Sequence, residues 1–304
     1  MDEANIPLLV IAGPTACGKT RLAIELAQAL GGEVVSADSM QVYRGMDIAT
    51  AKPAPEEMRG VPHHLIGVID PCERFSLAQY VPMAHAAITD IHSRGKLPIL
   101  CGGTGLYIQA VTENLVLTEG KFECNVEGTW QDLQGIDPEA AAKIHLNDQK
   151  RISHALALYR STGVTLTQQN LNSRQNFSPY QTKLIFLNAR ERKNLYNKID
   201  QRVDHMLAAG LLEEAALCRQ GENATAAQAI GHKELEPYFL GQCTLEEAVE
   251  KLKRETRRYA KRQLSWFRRM AREWNERGPG SCIELYLEDD DEIEQAKEFL
   301  CSAF

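Results

Sequence analysis

Short apolar runs, each followed by a turn and then by a helical stretch, order the first third of this chain. Leu8-Leu9-Val10-Ile11-Ala12 has no polar alternation, the pattern of a strand buried on both faces. Leu22, Leu26 and Leu30 then recur at helical spacing among good helix formers. Glu33 to Ala37 predicts a second strand, ending in Asp38-Ser39-Met40-Gln41. Tyr43 to Pro62 is polar and rich in Pro and Gly, and predicts a loop over the carboxyl ends of the strands. His63 to Pro71 predicts another short strand, and its adjacent histidines would point to opposite faces. Ser76 to Ser93 carries an apolar face from Leu77 to Ile91 with Ser76 placed as its cap, and Leu97 to Cys101 reads as the next buried strand, running into Gly102-Gly103-Thr104-Gly105.

From about Leu115 to Asn176 the alternation stops. Helix signals appear at Trp130–Leu133, after Asp137-Pro138, and over Ile152 to Tyr159, so this segment predicts a mostly helical insertion. Leu184–Leu187 resumes the sheet, and Asn194 to Cys218 predicts a helix interrupted near Gly210. Lys251 to Arg272 reads as one long helix, followed by a strand at Ile283–Tyr286 and an acidic last helix. The pattern as a whole is α/β: a P-loop NTPase-like parallel sheet flanked by helices, with a smaller helical domain inserted. Its segments are 1–114, the first part of the core; 115–178, the insertion; and 179–304, the second part of the core.

Chemistry enters at Gly13-Pro14-Thr15-Ala16-Cys17-Gly18-Lys19-Thr20, which fits G-x-x-x-x-G-K-[ST] between a strand and a helix. In that context backbone N–H groups and the helix N-terminus face a di- or triphosphate, Lys19 adds a point charge, and the Thr20 hydroxyl holds Mg²⁺. Ligands of open parallel sheets lie beyond the carboxyl ends of the strands. Asp38 ends the second strand and reads as a general base toward an acceptor or a water-mediated Mg²⁺ ligand, with a turn-capping Asp as the plain alternative. Asp70 precedes Pro and fits a turn initiator better than a metal carboxylate. The Thr104 hydroxyl suits a phosphate or bridging oxygen. Arg202 could reach inward to phosphate or pair with a surface acid, and spacing alone favours the ion pair.

The 304 residues carry a net charge of −7, with 44% hydrophobic and 25% charged residues, ordinary for a globular protein. No apolar stretch approaches the length of a membrane span, and Met1-Asp2-Glu3 begins no signal peptide. Eight scattered cysteines without a C-x-x-C pair point to reduced thiols and a cytoplasmic location. Charge distribution changes the picture: Lys251 to Arg272 holds ten basic residues and one acid, while the rest holds 24 basic against 40 acidic. Arg254, Arg257, Arg258, Lys261, Arg262, Arg268, Arg269 and Arg272 form a stripe at spacings of mostly three and four, expected to grip an anionic polymer because few acids offset it.

These stretches together resemble the bacterial tRNA dimethylallyltransferase family. The phosphate loop, Ser36 to Tyr43, Met46 to Pro53, His63-His64-Leu65 with Asp70-Pro71, Gly102 to Tyr107, Asp137-Pro138, Ile144-His145 with Asn147-Asp148, and Tyr259 to Phe267 run in family order. The resemblance implies transfer of a dimethylallyl group from dimethylallyl pyrophosphate to the exocyclic amine of the adenosine 3′-adjacent to the anticodon, in tRNAs reading codons that begin with U. It implies that the loop around Lys19 and Thr20 holds pyrophosphate with Mg²⁺, that Asp38 takes the proton, that Thr104 bonds the leaving oxygen and that Arg202 holds the pyrophosphate. It assigns tRNA contact to Asp38, Ser39, Met40 and Gln41, to Thr104, and to Gln149, Lys150, Arg151, Ile152 and Ser153. It extends that contact to Gln228, Gly231, His232 and Lys233, and to Lys261, Arg262, Gln263, Trp266 and Arg268. The expected partner is the anticodon stem-loop, bound by a monomer with no membrane association. The chain departs from the family in a shorter insertion, in His154 where Arg is usual and in His232 where Tyr is usual.

Two other classes share the site. A small-molecule P-loop kinase binding ATP, or an isopentenyltransferase acting on free adenine nucleotides, would use Lys19, Thr20 and Asp38 but leave the basic helix idle. An RNA-binding protein with a vestigial phosphate loop would use the helix and leave Lys19 and Asp38 idle.

Overall fold

Six parallel strands form one sheet in the order β3-β2-β4-β1-β5-β6. They are β1 at Ile6–Ala12, β2 at Gly32–Ser36, β3 at His63–His64, β4 at Leu97–Gly102, β5 at Tyr180–Asn188 and β6 at Cys282–Tyr286. The computed structural model describes residues 6–117, 126–173, 177–219, 229–278, 280–289 and 291–301. β1 lies between β4 and β5 with Leu8 to Ala12 wholly buried, which is why its sequence shows no alternation. The strand expected over His63 to Pro71 lasts two residues. Leu65 and Gly67 turn the chain with φ of 62° and 60°, and Ile69 rejoins only as an isolated bridge to Tyr43.

Helix α1 (Lys19–Leu30) packs Leu22, Ala23 and Leu26 on the sheet, where Ala296 and Leu300 of α12 (Glu292–Cys301) join them. Helices α2 (Leu77–Ser93) and α3 (Gly105–Thr112) flank β4 in the chain. The interrupted helix resolves into α8 (Arg192–Ala208) and α9 (Leu211–Cys218), with Gly210 at φ 101° between them. Past the short α10 (Glu236–Phe239) comes α11, Leu245–Arg277, longer at both ends than the basic stripe. A capping box of Thr244 with Glu247 starts it. Phe267 of α11 meets Phe186 of β5 with ring centroids 6.1 Å apart.

The chain divides into two compact units, one of Met1–Ser76, Tyr80–Thr112 and Pro179–Phe304, the other of Leu77–Gln79 and Glu113–Ser178. The second unit is helical: α4 (Trp130–Ile136), α5 (Pro138–Lys143), α6 (Gln149–Thr162) and α7 (Leu166–Ser173). Its core gathers Leu133, Ala140, Ile144, Ile152 and Leu156. Asp137 caps α5 through the Ala140 amide and accepts from the Thr167 amide and hydroxyl, so one carboxylate ties α5 to α7.

Within the first unit, the segment after β2 is held by buried polar groups. The Ser36 hydroxyl donates to Gln41 Oε1 at 3.0 Å, and Gln41 Nε2 reaches the Thr50 carbonyl at 3.2 Å. Glu214 of α9 accepts the amides of Asp47, Ile48 and Ala49 at 2.7, 2.7 and 2.9 Å, and its other neighbour is His232 Nε2 at 3.2 Å. Burial alone would lower the pKa of His232, but the Cys218 thiol and the Glu214 carboxylate beside it raise it to about 9. Among the described residues the buried Nδ1 has no hydrogen-bond partner. Lys233 and Glu234 of the same turn pair with each other at 3.7 Å.

Two outcomes test this frame. A Cβ at Gly102 would stand 2.1 Å from the Ala37 carbonyl oxygen, so Gly102→Ala should cost about 1–3 kcal/mol in urea unfolding. His232 has a folded pKa of about 9 against an ordinary 6.5, so its stabilising contribution is complete below pH 6.5 and is lost as pH rises through 9. The stability gap between the unaltered chain and His232→Gln should therefore be widest at pH 6.5 or below and close toward pH 9. A gap of constant size would remove the ion pair from the account.

Candidate active site

The carboxyl ends of β1, β2 and β4 open into a cavity of about 310 Å³. Thr15, Lys19 and Thr20 of the phosphate loop line it, with Asp38 to Gln41 from the turn after β2 and Gly102 and Gly103 from the turn after β4. Gly13, Pro14, Ala16, Cys17 and Gly18 build the loop behind them. A side chain at Gly13 would strike the Leu187 carbonyl oxygen at 2.5 Å, so the loop crosses β5 only as glycine. Gly18 at φ 87° starts α1, whose first turn carries no acid, leaving its N-terminus suited to an anion. Lys19 Nζ donates to the Pro14 carbonyl at 2.6 Å.

Asp38 caps its turn, the plain alternative its position offered, and it also faces the cavity. Its Oδ1 accepts the Met40 and Gln41 amides at 2.9 and 3.3 Å, fixing the turn. The carboxylate also lines the cavity, and among the described residues Oδ2 has no donor. Thr104 Oγ1 accepts the Ser39 amide at 3.0 Å, and the Thr104 amide donates to the Ala37 carbonyl at 3.1 Å, so the β2 and β4 turns are stitched together. Beneath them the Tyr80 hydroxyl donates to the Ser36 carbonyl at 3.0 Å, and its ring stacks on Tyr107 at 4.0 Å. Burial pushes both phenols up, and the Asp38 carboxylate adds to the shift, so both stay neutral donors.

Arg202 lies on α8 and lines the cavity, so the surface ion pair expected from its spacing is absent: among the described residues no carboxylate is within salt-bridge distance of it. Burial lowers its pKa, and the nearby charges of Asp38 and Cys17 pull it back up. A desolvated guanidinium aimed into a cavity with one carboxylate near it calls for a further anion.

The expected tRNA-contact residues separate. Gly231, Lys233, Arg262 and Gln263 line the cavity with Asp38 to Gln41, whereas Lys261 and Arg268 stand exposed on α11 beyond it. Three side chains are more buried than a tRNA contact suggests. Ile152 is wholly buried in the helical unit, while Gln149, Lys150 and Arg151 are exposed on the first turn of α6 and Ser153 is half-buried. His232 turns inward to Glu214 and is 5% exposed. Gln263 is 6% exposed, with its amide engaged at both ends: Oε1 accepts the Thr15 amide at 2.9 Å and Nε2 donates to the Gly103 carbonyl at 2.8 Å. Trp266 is half-buried, so close to Gly105 that a Cβ there would sit 2.3 Å from its ring. Gln228 lies outside the described residues. Asp70 caps a turn through the Cys72 amide at 2.9 Å.

The basic stripe is also more neutralised than its sequence implied. Arg257 meets Asp200 at 2.5 Å and Lys253 meets Asp204 at 2.7 Å, both carboxylates on α8, while Glu255 serves Arg254 and Arg258. Acids distant in sequence thus supply what local counting missed. Lys261, Arg262, Arg268 and Arg272 have no carboxylate partner among the described residues.

Sequence reading missed one wall of the cavity. Ile199, Val203 and Met206 of α8 line it with Leu252, Thr256 and Tyr259 of α11, and Val203 and Leu252 share one core cluster. Their spacings of three and four place each trio on one helical face with Arg202 or Gln263, and that periodicity was the available signal. Burial pushes the Tyr259 phenol up, with Asp38 adding to the shift and the Thr104 and Gln263 side chains opposing it as hydrogen-bond neighbours.

Comparison with known proteins places this geometry. The model of the IPP transferase family matches residues 41–270, and that of the isopentenyl transferases matches residues 6–66. A tRNA dimethylallyltransferase of Geobacillus thermodenitrificans is 47% identical over 283 residues, covering 88% of this chain and 89% of its own. One from Halalkalibacterium halodurans is 47% identical over 279 residues, covering 87% and 88%. Among solved structures, a tRNA isopentenylpyrophosphate transferase from Bacillus halodurans superposes with a TM-score of 0.73 at 41% identity, covering 98% of this chain and 97% of that one. A eukaryotic dimethylallyltransferase acting on tRNA gives 0.82 at 30% identity, over 98% and 80%. The chain that builds this cavity belongs to the IPP transferase family.

Proposed function

We propose that this chain is a tRNA dimethylallyltransferase that moves a dimethylallyl group from its pyrophosphate to the exocyclic amine of the adenosine following the anticodon. The observation that carries the reading is one cavity in which a phosphate loop, an unpaired Arg202 and the Asp38 carboxylate meet an apolar wall. Each element matches one part of the reaction. Negative charge grows on the leaving pyrophosphate, where the α1 N-terminus, Lys19 and Arg202 stabilise it. The Thr104 hydroxyl, which accepts from the Ser39 amide and shares its proton only weakly with Ser39 Oγ at 3.4 Å, can donate to the bridging oxygen. Asp38 Oδ2 is placed to take the amine proton, since Oδ1 is already committed to the turn. Ile199, Val203 and Met206 give a five-carbon chain an apolar surface.

Magnesium fits this donor set. Thr20 and Asp38 offer hard oxygens to the cavity, and Mg²⁺ is usually completed by water and substrate phosphate rather than by an all-protein cage. Bound by Thr20 and pyrophosphate, the ion would neutralise the leaving oxygens. A purine stacked in RNA reaches such a cavity only when flipped out, with phosphate contacts holding the strand on either side. Lys261, Arg262 and Arg268, which have no carboxylate partner among the described residues, supply charge for that grip. Among the described residues no helix is long and apolar enough to cross a membrane.

The direct test is to incubate the protein with labelled dimethylallyl pyrophosphate and tRNA carrying adenosine after the anticodon. Label is expected in the RNA; label in free adenine nucleotide alone would make this a nucleotide enzyme, and phosphate transfer from ATP would make it a kinase. Asp38→Asn should lower kcat by about 10²–10⁴-fold, the range of a lost general base, while inorganic pyrophosphate still binds. Changing Lys261, Arg262 and Arg268 together to Gln should weaken tRNA binding and reduce the slope of log K against log salt by about two to three. An unaltered slope would discard that face as the RNA contact.

A further inference from the structure

The least expected side chain in the cavity is Gln263, a polar residue on the buried side of a helix whose exposed side is basic. Both ends of its amide are used on loops from different parts of the sheet. The oxygen accepts the Thr15 amide of the phosphate loop at 2.9 Å, and the nitrogen donates to the Gly103 carbonyl at 2.8 Å. The fit is tight: a Cβ on Gly103 would lie 2.5 Å from Gln263 Nε2. One turn further along α11, Trp266 closes on Gly105. Between these two contacts lies Thr104, bonded to the Ser39 amide and so to the turn that carries Asp38.

We infer that Gln263 is a positioning residue for pyrophosphate departure rather than a tRNA contact. It sets the distance between the phosphate loop and the Thr104 turn, and through them the placing of Asp38. The inference rests on the functional reading above and adds a residue to it. The chemistry of the side chain is specific. A loop amide needs an acceptor and a loop carbonyl needs a donor, and a primary amide presents both from one rigid plane. A carboxylate would oppose the Gly103 carbonyl oxygen with a second acceptor. A thioether would leave the half-buried Thr15 amide and the buried Gly103 carbonyl without these partners, and an unpaired buried group costs more than its bond returned.

Three readouts on the full chain decide it: affinity for inorganic pyrophosphate by calorimetry, affinity for tRNA by filter binding, and kcat. Gln263→Met should lose about tenfold in pyrophosphate affinity and at least as much in kcat, the scale set by two broken buried hydrogen bonds, with tRNA affinity held within about twofold. Gln263→Glu supplies a signature that a folding defect does not. A protonated carboxyl offers one donor and one acceptor, as the amide does, and a buried carboxyl takes up its proton at a higher pH than an exposed one. Its rate relative to the unaltered enzyme should therefore climb as pH falls from about 8 to about 5.5, while the Gln263→Met ratio stays flat. Loss of tRNA affinity with kcat and pyrophosphate affinity intact would overturn the inference, as would an unchanged rate in both variants or a flat Gln263→Glu ratio. Failure of the unaltered protein to prenylate tRNA would instead end the functional reading, and the pyrophosphate titration would still decide whether Gln263 sets the cradle.

Discussion

Close backbone approach at the carboxyl edge of the sheet is the constraint on which everything else in this molecule depends. Three turns, after β1, β2 and β4, must converge within one cavity, and there is no room for side chains where they cross. Gly13 passes Leu187, Gly102 passes Ala37, and Gly103 and Gly105 lie under Gln263 and Trp266. Each glycine gives up conformational entropy on folding. The return is that backbone amides and carbonyls, rather than flexible side chains, set the distances between the anion cradle, the Thr104 hydroxyl and the Asp38 carboxylate. Dipoles fixed in this way need little reorganisation when charge moves, which is the condition for electrostatic stabilisation of a leaving group.

The second constraint is charge. Among the described residues the cavity collects Lys19, Arg202 and Arg262 against a single lining carboxylate, Asp38, while Lys233, also in the lining, pairs with Glu234. On the outside of α8 and α11 the opposite rule holds, because Asp200, Asp204 and Glu255 neutralise Arg257, Lys253, Arg254 and Arg258. Positive charge is therefore left uncompensated in two places, inside the cavity and at the exposed Lys261, Arg262 and Arg268. Exposed pairs contribute little to stability, so the pairing on α8 matters less for folding than for confining the field to where anionic groups would bind.

Local signals in the sequence were strong for the strands and for the phosphate loop, because burial on both faces erases alternation and glycines mark the crossings. They failed where a decision depended on distant partners. The strand after His63 stops because Leu65 and Gly67 turn the chain, and a β pattern of nine residues does not register that. Arg202 looked like a surface cation because its helix is polar, and only packing of α8 against α11 turns it inward. Gln263 and His232 sat in motifs read as RNA-binding, yet both are buried, one against two loops and the other against Glu214. A motif records that a residue type is required at a position. It does not record whether the requirement comes from the ligand or from the backbone that holds the ligand.

That distinction governs how α11 should be understood. Its exposed face carries unpaired cations, its buried face packs Leu264, Phe267 and Met270 in the core, and between them Gln263 and Tyr259 enter the cavity. The three faces belong to one continuous helix, so a displacement of α11 carries all of them. On the proposed function, an RNA backbone held by Lys261 and Arg268 would bear on the same continuous helix whose Gln263 bonds the phosphate loop and the Gly103 carbonyl. The anion cradle and the exposed cationic face therefore share one helix, and a substitution that displaced α11 as a whole would be expected to alter both.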